Sequence, residues 1–168
     1  MFSKYKKQNR GFSLIETLVA ITVLLVAVVG PLTIAHRALS IARVVRDQTK
    51  TVYLIQDAIE YIKNVKDTNV LEGNNWRTGL SVCSTACYID SIQGTITACS
   101  GSCPALRYDA STGLYGYNSA WSETSFVRTI TITDLNTNES SISIQMDWNT
   151  GTLNHTLTSV ANILDWNQ

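Results

Sequence analysis

From Thr17 to Ala35 the chain carries no charged side chain, and that run constrains its fold more than any other feature. About 20 apolar residues at 1.5 Å rise cross a hydrocarbon core of about 30 Å. Residues 12–35 are therefore expected to span a membrane as a helix. Lys4, Lys6, Lys7 and Arg10 precede the run, with no acidic residue among them. The positive-inside rule then puts the N-terminus in the cytoplasm and everything after residue 35 outside. A cleaved secretory signal has a shorter apolar core and a small-residue site behind it. Gly30-Pro31-Leu32 is a poor match to such a site. One carboxylate, Glu16, stands just inside the run. An ionisable group in hydrocarbon costs about 2.5–3.5 kcal/mol even on lenient insertion scales, and such groups are usually functional. Glu16 either reaches the headgroups, with a short stem for the purpose, or meets a cationic partner.

Gly11-Phe12-Ser13-Leu14-Ile15-Glu16, followed by Thr-Leu-Val-Ala and preceded by the basic leader, resembles the processing site of type IV pilins and pseudopilins. The resemblance is strong over the first third of the chain and diffuse beyond it. It implies cleavage after Gly11 by a prepilin peptidase on the cytoplasmic side, N-methylation of Phe12, and a role for Glu16 in neutralising the N-terminal amine of a neighbouring subunit. Its implied partners are that peptidase, other pilin or pseudopilin subunits and the membrane, with no cofactor. Among such proteins the chain looks most like a minor pilin of the type IV pilus modification type. That comparison rests on a low-charge head with Trp148, Trp166 and a short C-terminal segment. A plain signal anchor, an unprocessed single-pass protein presenting a binding head, is the alternative; it leaves Glu16 unexplained.

Beyond the membrane run the helical period continues. Ile41, Val45, Val52, Ile55, Ile59 and Ile62 recur at three-, four- and seven-residue intervals among charged residues, which predicts an amphipathic helix over 36–66. Pro31 removes one backbone bond and predicts a kink. A helix from Phe12 to about Lys66 is roughly 80 Å long at 1.5 Å per residue. Near Asp67 the composition shifts to Thr, Ser, Gly and Asn, and short alternating segments predict strands at 86–92, 95–98, 106–108, 113–117, 126–133, 140–148 and 152–160. Residues 109–113, 136–138 and 149–151 read as turns. Phe126, Arg128, Ile130 and Ile132 share one strand face, as do Ile142, Ile144, Met146 and Trp148. Half-buried antiparallel strands need a cover, and the outer half of the helix supplies it. The expected fold class is α+β: a long helix packed on an antiparallel sheet. Its parts are a leader (1–11), a membrane half (12–35), an amphipathic half (36–66) and a β-rich exported head (67–168).

Cys83, Cys87, Cys99 and Cys103 all lie in the head. An even cysteine count outside the cytoplasm points to disulfides. Cys83 with Cys103 and Cys87 with Cys99 are both centred on Gln93, beside Gly94. A hairpin with a three-residue loop there sets each pair face to face. Nested bridges 83–103 and 87–99 are therefore expected, against a competing scheme of two local loops, 83–87 and 99–103. Two C-x3-C pairs are a weaker zinc pattern than C-x2-C, so no metal site is assigned.

Nothing in the sequence resembles an active site. There is no phosphate-binding glycine loop, no H-E-x-x-H and no G-x-S-x-G, and His36 and His155 read as flanking or surface residues. Thirteen basic and thirteen acidic side chains balance in the full chain. Without the four leader charges nine basic side chains remain, a net of −4, which argues against electrostatic nucleic-acid binding. Arg107 and Arg128 could contribute to a small local patch, but no specific nucleic-acid partner is expected. Asn138-Glu139-Ser140 and Asn154-His155-Thr156 match the N-glycosylation triplet. Tyr88, Tyr115, Tyr117 and Trp121 are expected to pack in the core rather than form an adhesive patch.

Overall fold

Ser13 and Leu14 mark the point where the chain turns helical, and it stays helical for 58 residues, α1 (Leu14–Leu71). The computed structural model describes Gly11 and residues 13–165; Lys4, Lys6, Lys7, Arg10, Phe12 and Trp166 lie outside them. The chain divides into two units, Met1–Arg43 and Val44–Gln168. In the first, every described residue from Ser13 to Arg43 is exposed. Pro31 lies inside the helix.

The second unit is the head. Here α1 buries Thr51, Leu54, Ile55, Ala58, Ile62, Lys66 and Asn69, a row at three- and four-residue intervals that lies along one side of a helix. The stripe expected from the sequence is only partly the one used. Ile55 and Ile62 are in the core, whereas Val45 and Val52 stay exposed, because small Thr51 and Ala58 let the helix approach the sheet along a neighbouring line. The helix also runs past Lys66. Asn69 is drawn inward, its amide donating to the carbonyls of Trp76 (3.2 Å) and Thr78 (2.8 Å). The stop comes at Gly73, whose φ of 73° suits the left-handed residue that ends helices. Its N–H donates to Val70 O, and Asn74 N–H to Asn69 O.

A short 3-10 turn, η1 (Ser81–Ser84), leads into the sheet. The strands are β1 (Cys87–Asp90), β2 (Thr95–Ala98), β3 (Ala105–Tyr108), β4 (Tyr115–Gly116), β5 (Ser122–Asn136), β6 (Glu139–Thr150) and β7 (Leu153–Leu164). All pairings are antiparallel. The fold is α+β, one long helix followed by an antiparallel sheet. β5 is its spine. Val127 pairs with both Asp147 of β6 and Ala105 of β3, and Ile130 with both Ile144 of β6 and Cys87 of β1. β6 therefore takes one edge of β5, while β1 and β3 share the other. β7 continues beyond β6 through twelve uninterrupted pairs.

Alternation decides what is buried. Phe126, Arg128, Ile130 and Ile132 of β5 and Ser140, Ile142, Ile144, Met146 and Trp148 of β6 face inward. They meet Leu54, Ile55, Ala58 and Ile62 of the helix in one core. Each fully buried aliphatic side chain contributes about 1.5–3 kcal/mol. Gly116 is needed where it stands, since a Cβ there would lie 2.9 Å from the Trp121 ring.

The cysteine pairing differs from the nested expectation. The bridges are Cys83–Cys87 and Cys99–Cys103, with Cα separations of 5.0 and 4.9 Å; Cys83–Cys103 and Cys87–Cys99 are not formed. The reason is register. The β1–β2 hairpin pairs Asp90 with Thr95 and Cys87 with Ala98, leaving four residues, not three, in its loop. Cys99 then follows Ala98 and bonds back to Ala86 O. A shift of one residue sends a side chain to the opposite sheet face, so Cys87 and Cys99 cannot meet. Cys83 sits in η1, one short loop from Cys87.

Candidate processing and assembly segment

Gly11 is exposed, with nothing within 4 Å of the place where its Cβ would stand. Helical bonding starts two residues on, with Thr17 N–H donating to Ser13 O at 3.2 Å. Phe12, on the other side of the expected scissile bond, lies outside the described residues. Glu16 occupies the first turn of α1, where the partial positive charge of the helix start favours a carboxylate by about 0.3–1 kcal/mol. Among the described residues no side chain pairs with it.

The apolar surface behind Glu16 is bare. Leu14, Ile15, Leu18, Ile21, Val23 and Leu24 are all more than half exposed, Leu14 reaching 82%. The helix is long and apolar enough to cross a membrane. Its hydroxyls are already satisfied within the helix. Thr17 Oγ1 donates to Leu14 O, Thr22 Oγ1 to Val19 O and Thr33 Oγ1 to Gly30 O, at 2.7–2.8 Å. In hydrocarbon an unpaired hydroxyl is costly, so these threonines cost little and Glu16 stands out the more.

The prokaryotic N-terminal methylation motif matches residues 6–30. That motif is the type IV prepilin signal. The chain carries a prepilin signal at the head of a long apolar helix. No curated protein and no solved structure matches the chain. The prepilin signal marks structural subunits, not enzymes. With the bare helix, it supports membrane anchoring and a pilus-like filament.

In the head, side chains serve architecture. Arg128 is 1% exposed, which removes it from any surface patch. Its Nη1 donates to Leu54 O (2.6 Å) and Asp57 Oδ2 (2.9 Å), and its Nη2 to Ile89 O (2.6 Å). Ser91 Oγ donates to the same Asp57 oxygen. One guanidinium thus ties β5 to α1 and β1. The signal for this role was present: an Arg in a row otherwise made of Phe126, Ile130 and Ile132. Arg107 is likewise engaged, with Ser119 O, Trp121 O and Glu123.

Asp90, also buried, accepts the N–H groups of Ile92 and Gln93 on Oδ1 and that of Tyr117 on Oδ2. Burial pushes the Tyr117 hydroxyl up from its ordinary value, with the Arg128 charge opposing. Tyr88 and Tyr117 rings touch at 4.5 Å, and Tyr115 meets Phe126 edge-on; Tyr115 and Tyr117 pack against the core that holds Phe126. His36 is exposed on α1, while His155 stacks on Trp148. Of the glycosylation triplets, the Ser140 hydroxyl is buried and donates to Asp134, and Thr156 donates to Asp147. Among the described residues no group of three His, Cys, Asp or Glu side chains could hold a metal ion.

Proposed function

We propose that the chain is the precursor of a filament subunit of a pilus or pseudopilus, cut between Gly11 and Phe12 by a prepilin peptidase and N-methylated at Phe12. The observation that carries this reading is the coincidence of a prepilin signal over residues 6–30 with a helix exposed on every side from Ser13 to Arg43. Cleavage removes Lys4, Lys6, Lys7 and Arg10 and turns a neutral precursor into a chain of net −4. It also creates an ammonium at Phe12. An ammonium and a carboxylate are each costly alone in a low-dielectric bundle, and pairing offsets much of that cost. Glu16 of one subunit therefore pairs with the Phe12 amine of another, fixing register as a buried polar residue does in a coiled coil.

The leader (1–11) and N-terminus lie on the cytoplasmic side, residues 12–35 cross the membrane, residues 36–66 continue the stem, and 67–168 form the exported head. Pro31 takes one bond out of the helix ladder and lets the stem bend. Within this class the head fits a minor pilin that initiates or caps assembly with other pilins. Mass spectrometry of the mature N-terminus tests the reading. A chain beginning at N-methyl-Phe12 supports it; an intact leader in filament-bearing cells overturns it in favour of an unprocessed membrane protein.

A further inference from the structure

β7 forms one border of the sheet. It is twelve residues long and, among the described residues, pairs with β6 alone. A sheet border is a ready template for another strand, and proteins protect it by shortness, charge, Pro or a bulge. The other border strands, β2 and β4, follow that rule with four and two residues. β7 does not. From Leu153 to Leu164 it has no Lys, Arg, Asp, Glu, Pro or Gly, and its register against β6 runs without a shift.

One bond fixes which backbone groups are open. Asp165 N–H donates to Asn138 O, so that opposed pair belongs to the hydrogen-bonded set. Opposed pairs in an antiparallel ladder alternate between bonded and non-bonded. The odd-numbered residues from 153 to 163 therefore bond to β6, while the even-numbered ones from 154 to 164 aim N–H and C=O away from it. Lys66 Nζ donates to Leu164 O at 3.3 Å, which closes that end. Asn154, Thr156, Thr158, Val160 and Asn162 remain, with five N–H and five C=O groups. They extend over roughly 27 Å at 3.4 Å per residue. Side chains leave this border clear as well. Thr156 Oγ1 donates back to Asp147 of β6, and Asn162 Nδ2 to Glu139.

We propose that residues 154–162 of β7 accept an extended, uncharged strand from a different chain of the filament, which lengthens the sheet by backbone pairing. The inference rests on the filament-subunit reading above. Neighbouring side chains narrow the partner. On the helix side of β7, Leu157 and Ala161 are only half-buried, so the incoming strand sets apolar residues beside them and polar ones beside Thr156 and Thr158. A second copy does not fit. Its β2 and β4 are too short, and joining β7 to β7 antiparallel, as every pair in this sheet is, reverses one helix against the other. Subunits that enter one membrane from the same side cannot be reversed.

The test places a photo-crosslinking amino acid at Val160, 64% exposed, in the full-length chain in filament-bearing cells. Mass spectrometry maps the adducts, which are expected on one short segment of a different filament chain. Thr158→Pro removes an N–H that points away from β6, a border position where Pro is tolerated. It should lower adduct yield about fivefold or more, whereas Thr158→Ala should keep it within about twofold, since only the first removes a backbone donor. A second measurement needs no variant. Amide exchange over residues 154–162 should be about tenfold slower or more in sheared filaments than in detergent-extracted subunits. Adducts to a second copy, a lipid or a saccharide, equal yields with Pro and Ala, or equal exchange in the two preparations would overturn the proposal. The mature N-terminal mass, read in the same cells, reports separately on the filament-subunit reading.

Discussion

Arg128 Nη1 lies 2.9 Å from Asp57 Oδ2, joining the middle of the central strand to the helix that covers it. The two partners are unequal: the arginine side chain is 2% exposed, the aspartate 41%. Removing either therefore has different consequences. Asp57→Ala strands a buried cation, at a cost of about 3 kcal/mol, the lower end for a broken buried pair. Arg128→Met leaves an aspartate that turns to water, while the methionine fills the vacated volume, at a cost of about 1–2 kcal/mol for the carbonyls that lose a donor. Denaturation followed by the fluorescence of buried Trp76 and Trp148 should rank them in that order. The reverse ranking would show that the guanidinium, not its counter-ion, dominates.

The disulfide pattern is readable by cutting the non-reduced chain before Asp90. Local bridges give two unlinked peptides, one holding Cys83 and Cys87 and the other Cys99 and Cys103, each about 2 Da lighter than its reduced form. Nested bridges would leave the two peptides joined. Loops this short constrain the unfolded chain by only about 2 kcal/mol each, so Cys99→Ser with Cys103→Ser should cost about that much and leave the head folded.

Asp109 predicts a pH dependence. Its carboxylate is held below the usual value of 3.8 by the Ser111 backbone N–H, then by the hydroxyls of Thr112 and Ser111. A depressed folded value means the stabilisation is complete above the unfolded value and fades as pH falls through the folded one. The gap in Tm between the native chain and Asp109→Ala should be constant from neutral pH down to about pH 5 and close progressively below about 3.8. A gap that persists in strong acid would assign the effect to the turn backbone instead.

Glu16→Gln keeps the size and shape of the side chain and removes its charge. Under the proposed ammonium pairing, membrane insertion and cleavage after Gly11 continue while incorporation into filaments falls by about tenfold or more, since breaking a buried pair costs several kcal/mol. Immunoblots of sheared filaments against membrane fractions read both quantities. Wild-type incorporation of the variant would leave the ion pair without a role.

Residues 11–16 and the uncharged run behind them needed no tertiary structure to be understood, because a charge pattern against a membrane-length apolar segment is a one-dimensional signal. The paired strand faces of β5 and β6 were equally legible, since alternation is imposed by the pleat itself. What the sequence could not decide was register. A hairpin loop of three residues and one of four look alike around Gln93-Gly94, yet the choice puts Cys87 opposite Ala98 and turns nested bridges into local ones. The same holds for the helix: its period announced an apolar stripe, but the sheet selected the neighbouring line through Thr51 and Ala58. Arg128 inside an isoleucine row became an anchor only once Asp57 and the carbonyls of Leu54 and Ile89 stood around it. Local patterns follow from each residue's own chemistry, whereas register, the buried line and the pairing of a buried charge depend on which distant surfaces come into contact.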